Sequence, residues 1–190
     1  MKLVFATHNQ NKFIEVKTML PHHIELLSLT DIGCNEDIPE TADTIEGNAI
    51  LKANYVRDNY NLNCFADDTG LEVKSLNNAP GVYSARYAGN THDSTANIQK
   101  LLKNLEGKED RSARFKTAIA LNVNQEEIMF LGICEGEIIK ELRGDSGFGY
   151  DPVFQPKGFD KTFAEMTLAQ KSEIGHRGKA MRQLIAYLSK

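Results

Sequence analysis

Two stretches rich in β-branched and apolar residues, Arg114 to Val123 and Ile128 to Ile139, are separated by little more than the polar turn Asn124-Gln125-Glu126. Segments of that composition with so little chain between them have to run side by side as long antiparallel strands. A sheet is therefore obligatory, and the remaining segments must pack against it. The run Leu3 to Ala6 reads as a short strand, followed by a polar loop and by Phe13, Val16, Met19 and Leu20 at helical spacing until Pro21. Ile24 to Leu29 is a second strand, and a helix carries Ala49, Ile50, Ala53 and Val56 on one face. Cys64-Phe65-Ala66 is a buried strand that ends at Asp67-Asp68-Thr69-Gly70, with Leu71 to Leu76 extended beyond it as far as a turn at 77–81. Asp93 or Ser94 caps a helix through Leu105 that Gly107 closes. Thr167 and Gln170 form a capping box, and Met181, Leu184, Ile185 and Leu188 share one face of a last helix.

This order predicts a mixed α/β fold around a twisted sheet. The chain has 190 residues, 41% hydrophobic and 25% charged, with no repeat, low-complexity tract or Gly/Ser/Pro linker, so 1–190 reads as a single domain with room for two lobes. The apolar run at the N-terminus is too short for a signal peptide or a membrane span, which predicts a cytoplasmic protein without membrane contact. Cys34, Cys64 and Cys134 are widely spaced with no C-x-x-C pair, and read as reduced, packed thiols. A net charge of −4 and a pI near 5.8 argue against a partner that is nucleic acid.

Four groups carry chemistry, each with a plainer alternative. Thr7-His8-Asn9-Gln10-Asn11-Lys12 joins a strand to a helix start, where free N–H groups, the helix dipole and a lysine suit a triphosphate; an ordinary polar loop fits the segment equally, and no Walker motif is present. Glu40 and the pair Asp67-Asp68 supply hard oxygen ligands suited to Mg²⁺, against the alternative of a solvated turn. Glu36, Asp37 and Asp43 read as solvated surface. The loop 144–152 interleaves three glycines with Phe148 and Tyr150, so that backbone can approach a ligand while an aromatic face stacks on a base; a tight turn with core aromatics stands level with that reading. Lys171 to Lys179 places His176 and Arg177 beside glycines between helical stretches, either as an exposed donor cluster or as a solvated junction.

Taken together, these segments resemble the inosine triphosphate pyrophosphatase family. The matching stretches are Ala6 to Lys12, Glu40-Thr41, Asn48 to Ala53, Ala66 to Leu71, Ala79 to Tyr87, Gly147 to Pro152, and Lys171-Ser172 with His176-Arg177-Gly178. The resemblance implies an elongated mixed α/β structure with a long curved sheet, two lobes flanking a nucleotide cleft, and a homodimer. It implies hydrolysis of ITP, dITP and XTP to monophosphate and pyrophosphate, with Mg²⁺ on Glu40 and Asp68 and with Asp68 as the proton acceptor for water. Thr7, His8, Asn9, Gln10, Asn11, Lys12 and Lys52 would surround the phosphates, with Thr69 touching substrate beside Asp68. Phe148, Gly149, Tyr150, Asp151, Lys171, His176 and Arg177 would embrace the base and sugar. The chain departs from the family twice: Thr7-His8-Asn9 stands where Thr-Gly-Asn is frequent, and Gly47 stands where a Glu often precedes Asn-Ala, leaving Glu46 beside it. The competing functions are a related pyrophosphatase for modified pyrimidine triphosphates and a nucleotide sensor without turnover.

Overall fold

In the computed structural model, which describes residues 1–189, the elements follow the order β1 (Lys2–Phe5), α1 (Gln10–Met19), β2 (Glu25–Leu27), α2 (Ile45–Tyr60), β3 (Cys64–Val73), β4 (Pro80–Gly81), α3 (Ser94–Asn104), β5 (Ser112–Val123), β6 (Glu126–Ile138), β7 (Phe154–Pro156), α4 (Leu168–Ile174) and α5 (His176–Leu188). The strands form one seven-stranded sheet in the order β2-β1-β3-β5-β6-β7, with β4 on β3. β1 is parallel to both β2 and β3, whereas β3–β4 and β6–β7 are antiparallel, so the sheet is mixed. The expected α/β class is observed.

Local chemistry accounts for most of the boundaries. Asn9 caps α1 by accepting from the Lys12 N–H, Thr44 caps α2 from the Gly47 N–H, and Asp93 caps α3 from Thr95 and Ala96. The capping box of Thr167 and Gln170 opens α4. Asn124 and Gln125 both adopt positive φ, 50° and 67°, which is the two-residue geometry that joins twisted strands; Glu126 already belongs to β6.

Three expectations are corrected. β3 does not stop at the acidic pair but runs through it to Val73, after which Lys74–Leu76 form a 3₁₀ turn instead of extended chain. β2 covers only Glu25–Leu27. On α2 the buried face is Ile45, Asn48, Ala49, Lys52, Ala53 and Val56, and Ile50 lies outside it, 40% exposed.

Two compact units are formed, Met1–Asp68 with Thr117–Gly132 and the chain from Arg177 on, and Thr69–Lys116 with Ile133–His176. The first has its own core, in which Phe5 and Phe65 stack at 4.6 Å and Val16, Ile119, Met181 and Leu184 are buried with them. In the second, Phe115 meets Phe154 edge-on at 4.7 Å, and Phe163, Leu71, Ile98 and Leu101 complete the packing. All three cysteines are free and buried, as expected. Among the described residues no helix is long and apolar enough to cross a membrane.

Candidate functional site

In the first unit, alternation along β3 sends neighbouring side chains to opposite faces. Phe65 and Asp67 share the face covered by α1 and α5, while Cys64, whose thiol meets the Ala53 carbonyl at 3.1 Å, shares the α2 face with Asp68. The solvated-turn alternative is thereby excluded for both carboxylates, since Asp67 is fully buried and Asp68 8% exposed.

Asp67 accepts from Lys12 Nζ at 2.9 Å and from Arg177 Nε at 2.9 Å, and Arg177 Nη1 also donates to Glu15 on α1. Burial alone would raise the Asp67 carboxyl, but Lys12, Arg177 and Lys52 outweigh it and hold the group well below the usual carboxylate range. Burial likewise draws the Lys12 ammonium down, with Asp67 opposing. Lys52 Nζ lies 2.5 Å from Glu40 Oε1 and 3.7 Å from Asp68 Oδ1. Burial would lower Lys52, yet Asp68 and Glu40 raise it overall; Asp68 is pushed up by burial in spite of Lys52 and Lys12.

Glu40 and Asp68 thus converge on a single point of positive charge. Two carboxylates with the other positions open to phosphate and water are the donor set that Mg²⁺ takes, so these residues fit that ion. No cluster of three or more His, Cys, Asp or Glu side chains with metal-ligand placement occurs among the described residues.

The Glu40 segment is seated on the start of α2. The Ala42 N–H donates to Asn48 Oδ1 at 3.0 Å, and a Cβ at Gly47 would come within 2.6 Å of Ala42 Cβ and 2.9 Å of Thr44 Oγ1. A side chain at position 47 would therefore displace the backbone that positions Glu40.

The second unit builds a different cluster. Asp151, 2% exposed, accepts from Lys171 Nζ at 2.7 Å and from the Phe148 N–H at 3.0 Å, while the Lys171 ammonium lies 4.7 Å from the centre of the half-buried Phe148 ring. Tyr150 does not offer a face to a ligand as expected: it is 4% exposed, belongs to the core, and donates to the Ser84 carbonyl at 2.8 Å. Phe148 is left as the aromatic of this loop suited to stacking.

The loop depends on Gly147, whose φ is 78° and whose Cβ would meet Asp151 Oδ2 at 2.1 Å; Gly149, at φ 61°, has nothing within 4 Å of its Cβ position. Both Gly147→Ala and Gly149→Ala carry the left-handed backbone cost of ~1–2 kcal/mol, or a fall of roughly 2–8 °C in thermal midpoint. Gly147→Ala should fall further, because it must also dislodge Asp151 from Lys171. Equal melting temperatures for the two variants would show that the loop absorbs the new atom.

His176 and Arg177 were expected as an exposed donor cluster, and both are instead buried at 3% exposure. His176 stacks on Phe115 with ring centroids 4.6 Å apart, and Arg177 serves the carboxylates of the first unit. Thr7 is half-buried and its Oγ1 accepts from the Asn9 N–H at 3.1 Å; His8, Asn9, Gln10 and Asn11 are exposed at the head of α1. Thr69 follows Asp68 on β3, half-buried. Sequence reasoning missed Glu15, although Lys12, Glu15, Val16 and Met19 recur at i, i+3, i+4 and i+7, which marks a buried helix face carrying charge.

The Ham1 family matches residues 3–187 of the chain. The dITP/XTP pyrophosphatase of Christiangramia forsetii is 64% identical over 190 residues, 100% of both chains, and that of Flavobacterium psychrophilum is 58% identical over 187 residues, 98% of each. The solved Staphylococcus aureus Ham1 protein superposes with a TM-score of 0.91 at 39% identity, covering 100% of this chain and 98% of that one.

Proposed function

The chain belongs to the Ham1 family, and from that premise we propose that it hydrolyses deaminated purine nucleoside triphosphates to monophosphate and pyrophosphate, with Mg²⁺ held by Glu40 and Asp68. The observation that carries the site assignment is the convergence of these two carboxylates on Lys52, with Asp68 buried and its carboxyl raised. Held by Glu40 and Asp68, Mg²⁺ would neutralise charge on the phosphate oxygens.

In the hydrolytic step the oxygen of water bonds to phosphorus at the α–β anhydride, the bridging P–O bond breaks, and pyrophosphate departs with the bond electrons. The proton released by the water passes to the Asp68 carboxylate. A carboxyl whose burial raises its affinity for a proton is suited to that role. Lys12 and Lys52 offset the charge of the phosphates, and the N–H groups at the start of α1 add the favourable end of the helix dipole. Phe148, Asp151, Lys171 and His176 form the base side of the assignment, with the Phe148 ring as the stacking face. Both assignments rest on family resemblance together with the local geometry of each cluster.

The experiment is hydrolysis of ITP with Mg²⁺, reading orthophosphate with and without added inorganic pyrophosphatase. Orthophosphate is expected only when the second enzyme is present, and IDP accumulating at any stage would overturn the assignment of the broken bond.

A further inference from the structure

Glu40 sits on a stretch of chain, 34–44, that contains neither helix nor strand. A carboxylate on irregular backbone holds a fixed position only if that backbone is tied down on both sides. Downstream of Glu40 the tie is Ala42 on Asn48. Upstream it is Glu36, exposed as expected of solvated surface but hydrogen-bonded as well. Its side chain accepts from Tyr55 OH at 2.6 Å and Tyr60 OH at 3.2 Å, both on α2, and from the Asn35 N–H at 3.1 Å. Its backbone carbonyl lies 3.0 Å from His8 Nε2. A carbonyl oxygen can only accept, so Nε2 carries the proton and donates.

We propose that His8 is a positioning residue: through Glu36 it ties the Thr7–Lys12 loop to the segment that carries Glu40, so that the phosphate side and the metal side of the site keep one spacing. This rests on the metal role given to Glu40 above. It also gives a purpose to the departure at position 8, where the glycine frequent in the family has no side chain to span the two loops.

The tether is tested without substrate by hydrogen exchange of the amides in 36–43. His8→Ala should speed their exchange by roughly 3- to 10-fold, the weight of one hydrogen bond, while amides in the body of α2 keep their protection. His8→Gln, whose amide N–H reaches about as far as Nε2, should restore slow exchange. Mn²⁺ affinity, read by electron paramagnetic resonance of the free ion, should weaken by a similar factor in His8→Ala and recover in His8→Gln. Tyr55→Phe releases the other side of Glu36, so its effect on exchange should be less than additive with that of His8→Ala.

Unchanged exchange at 36–43 in His8→Ala overturns the proposal, as does His8→Gln behaving like His8→Ala, or full additivity with Tyr55→Phe. Because the exchange is measured on protein without nucleotide or metal, its outcome is separate from whether ITP is hydrolysed, which tests the function itself.

Discussion

Asp68→Asn is expected to lower turnover of ITP by at least ~10³, equivalent to about 4 kcal/mol of barrier. The replacement keeps the shape of the side chain at a position 8% exposed, so packing along β3 is preserved. What it removes is a charge facing Lys52 and, in the proposed mechanism, the atom that would take the proton from water. An amide oxygen is a far weaker base than a carboxylate and a poorer ligand for a hard cation, so raising Mg²⁺ should recover only the part of the loss that reflects metal binding. The variant should still fold, because Asp68 is raised by burial and its charged form is the costly one. The measurement is kcat at saturating ITP over a Mg²⁺ titration, with circular dichroism to establish folding. Turnover near that of the parent protein at saturating Mg²⁺ would place the proton acceptor elsewhere.

The elements that sequence pattern exposes well are those whose cause is local. The caps at Asp93 and Thr167 were legible because a side-chain oxygen and two or three nearby N–H groups decide them. The reach of β3 was not, because Asp, Thr and Gly are turn residues taken alone, and pairing with β5 in the sheet, and with β4 at Leu71 and Glu72, overrides that preference.

The α2 face was misread by one residue for a related reason. Asn48 and Lys52 occupy buried positions that a hydrophobic pattern leaves blank, and they are buried because they hold Ala42 and Glu40. Glycines next to His176 suggested an exposed junction, yet a Cβ at Gly175 would lie 2.5 Å from the Lys171 carbonyl, so this glycine lets the chain close tightly on the last turn of α4. Candidate residues were therefore legible by type, and their partners were not: nothing in the order of the chain joins Arg177 to Glu15, 162 residues away.

That pairing leads to the expected behaviour of Arg177→Ala. Arg177 stands between two buried carboxylates, Asp67 at 0% and Glu15 at 7% exposure, and its removal leaves both without their guanidinium. Breaking a buried pair by deleting one partner costs ~3–5 kcal/mol, against a total stability of about 5–15 kcal/mol for an ordinary domain. The variant should unfold at much lower urea, and its activity on ITP, GTP and ATP should fall in equal proportion. Arg177→Lys should be intermediate, since an ammonium cannot reproduce the planar fork that spans two carboxylates.

The pH dependence carries a sign of its own. Asp67 is held below its unfolded value in the folded parent, so its contribution is fully present above that value, ~3.9, and is lost as pH falls through the lower folded one. Without Arg177 the Asp67 carboxyl keeps Lys12 as its partner but rises and takes up a proton sooner, which relieves the charge that Lys12 alone leaves under-compensated. The gap in stability between parent and variant should thus be widest near neutral pH and narrow toward pH 4, as urea titrations at several pH values would show. If the variant instead keeps the parent's stability and loses activity on ITP and GTP but not on ATP, Arg177 reads O6 of the base and the buried pair is incidental to the fold.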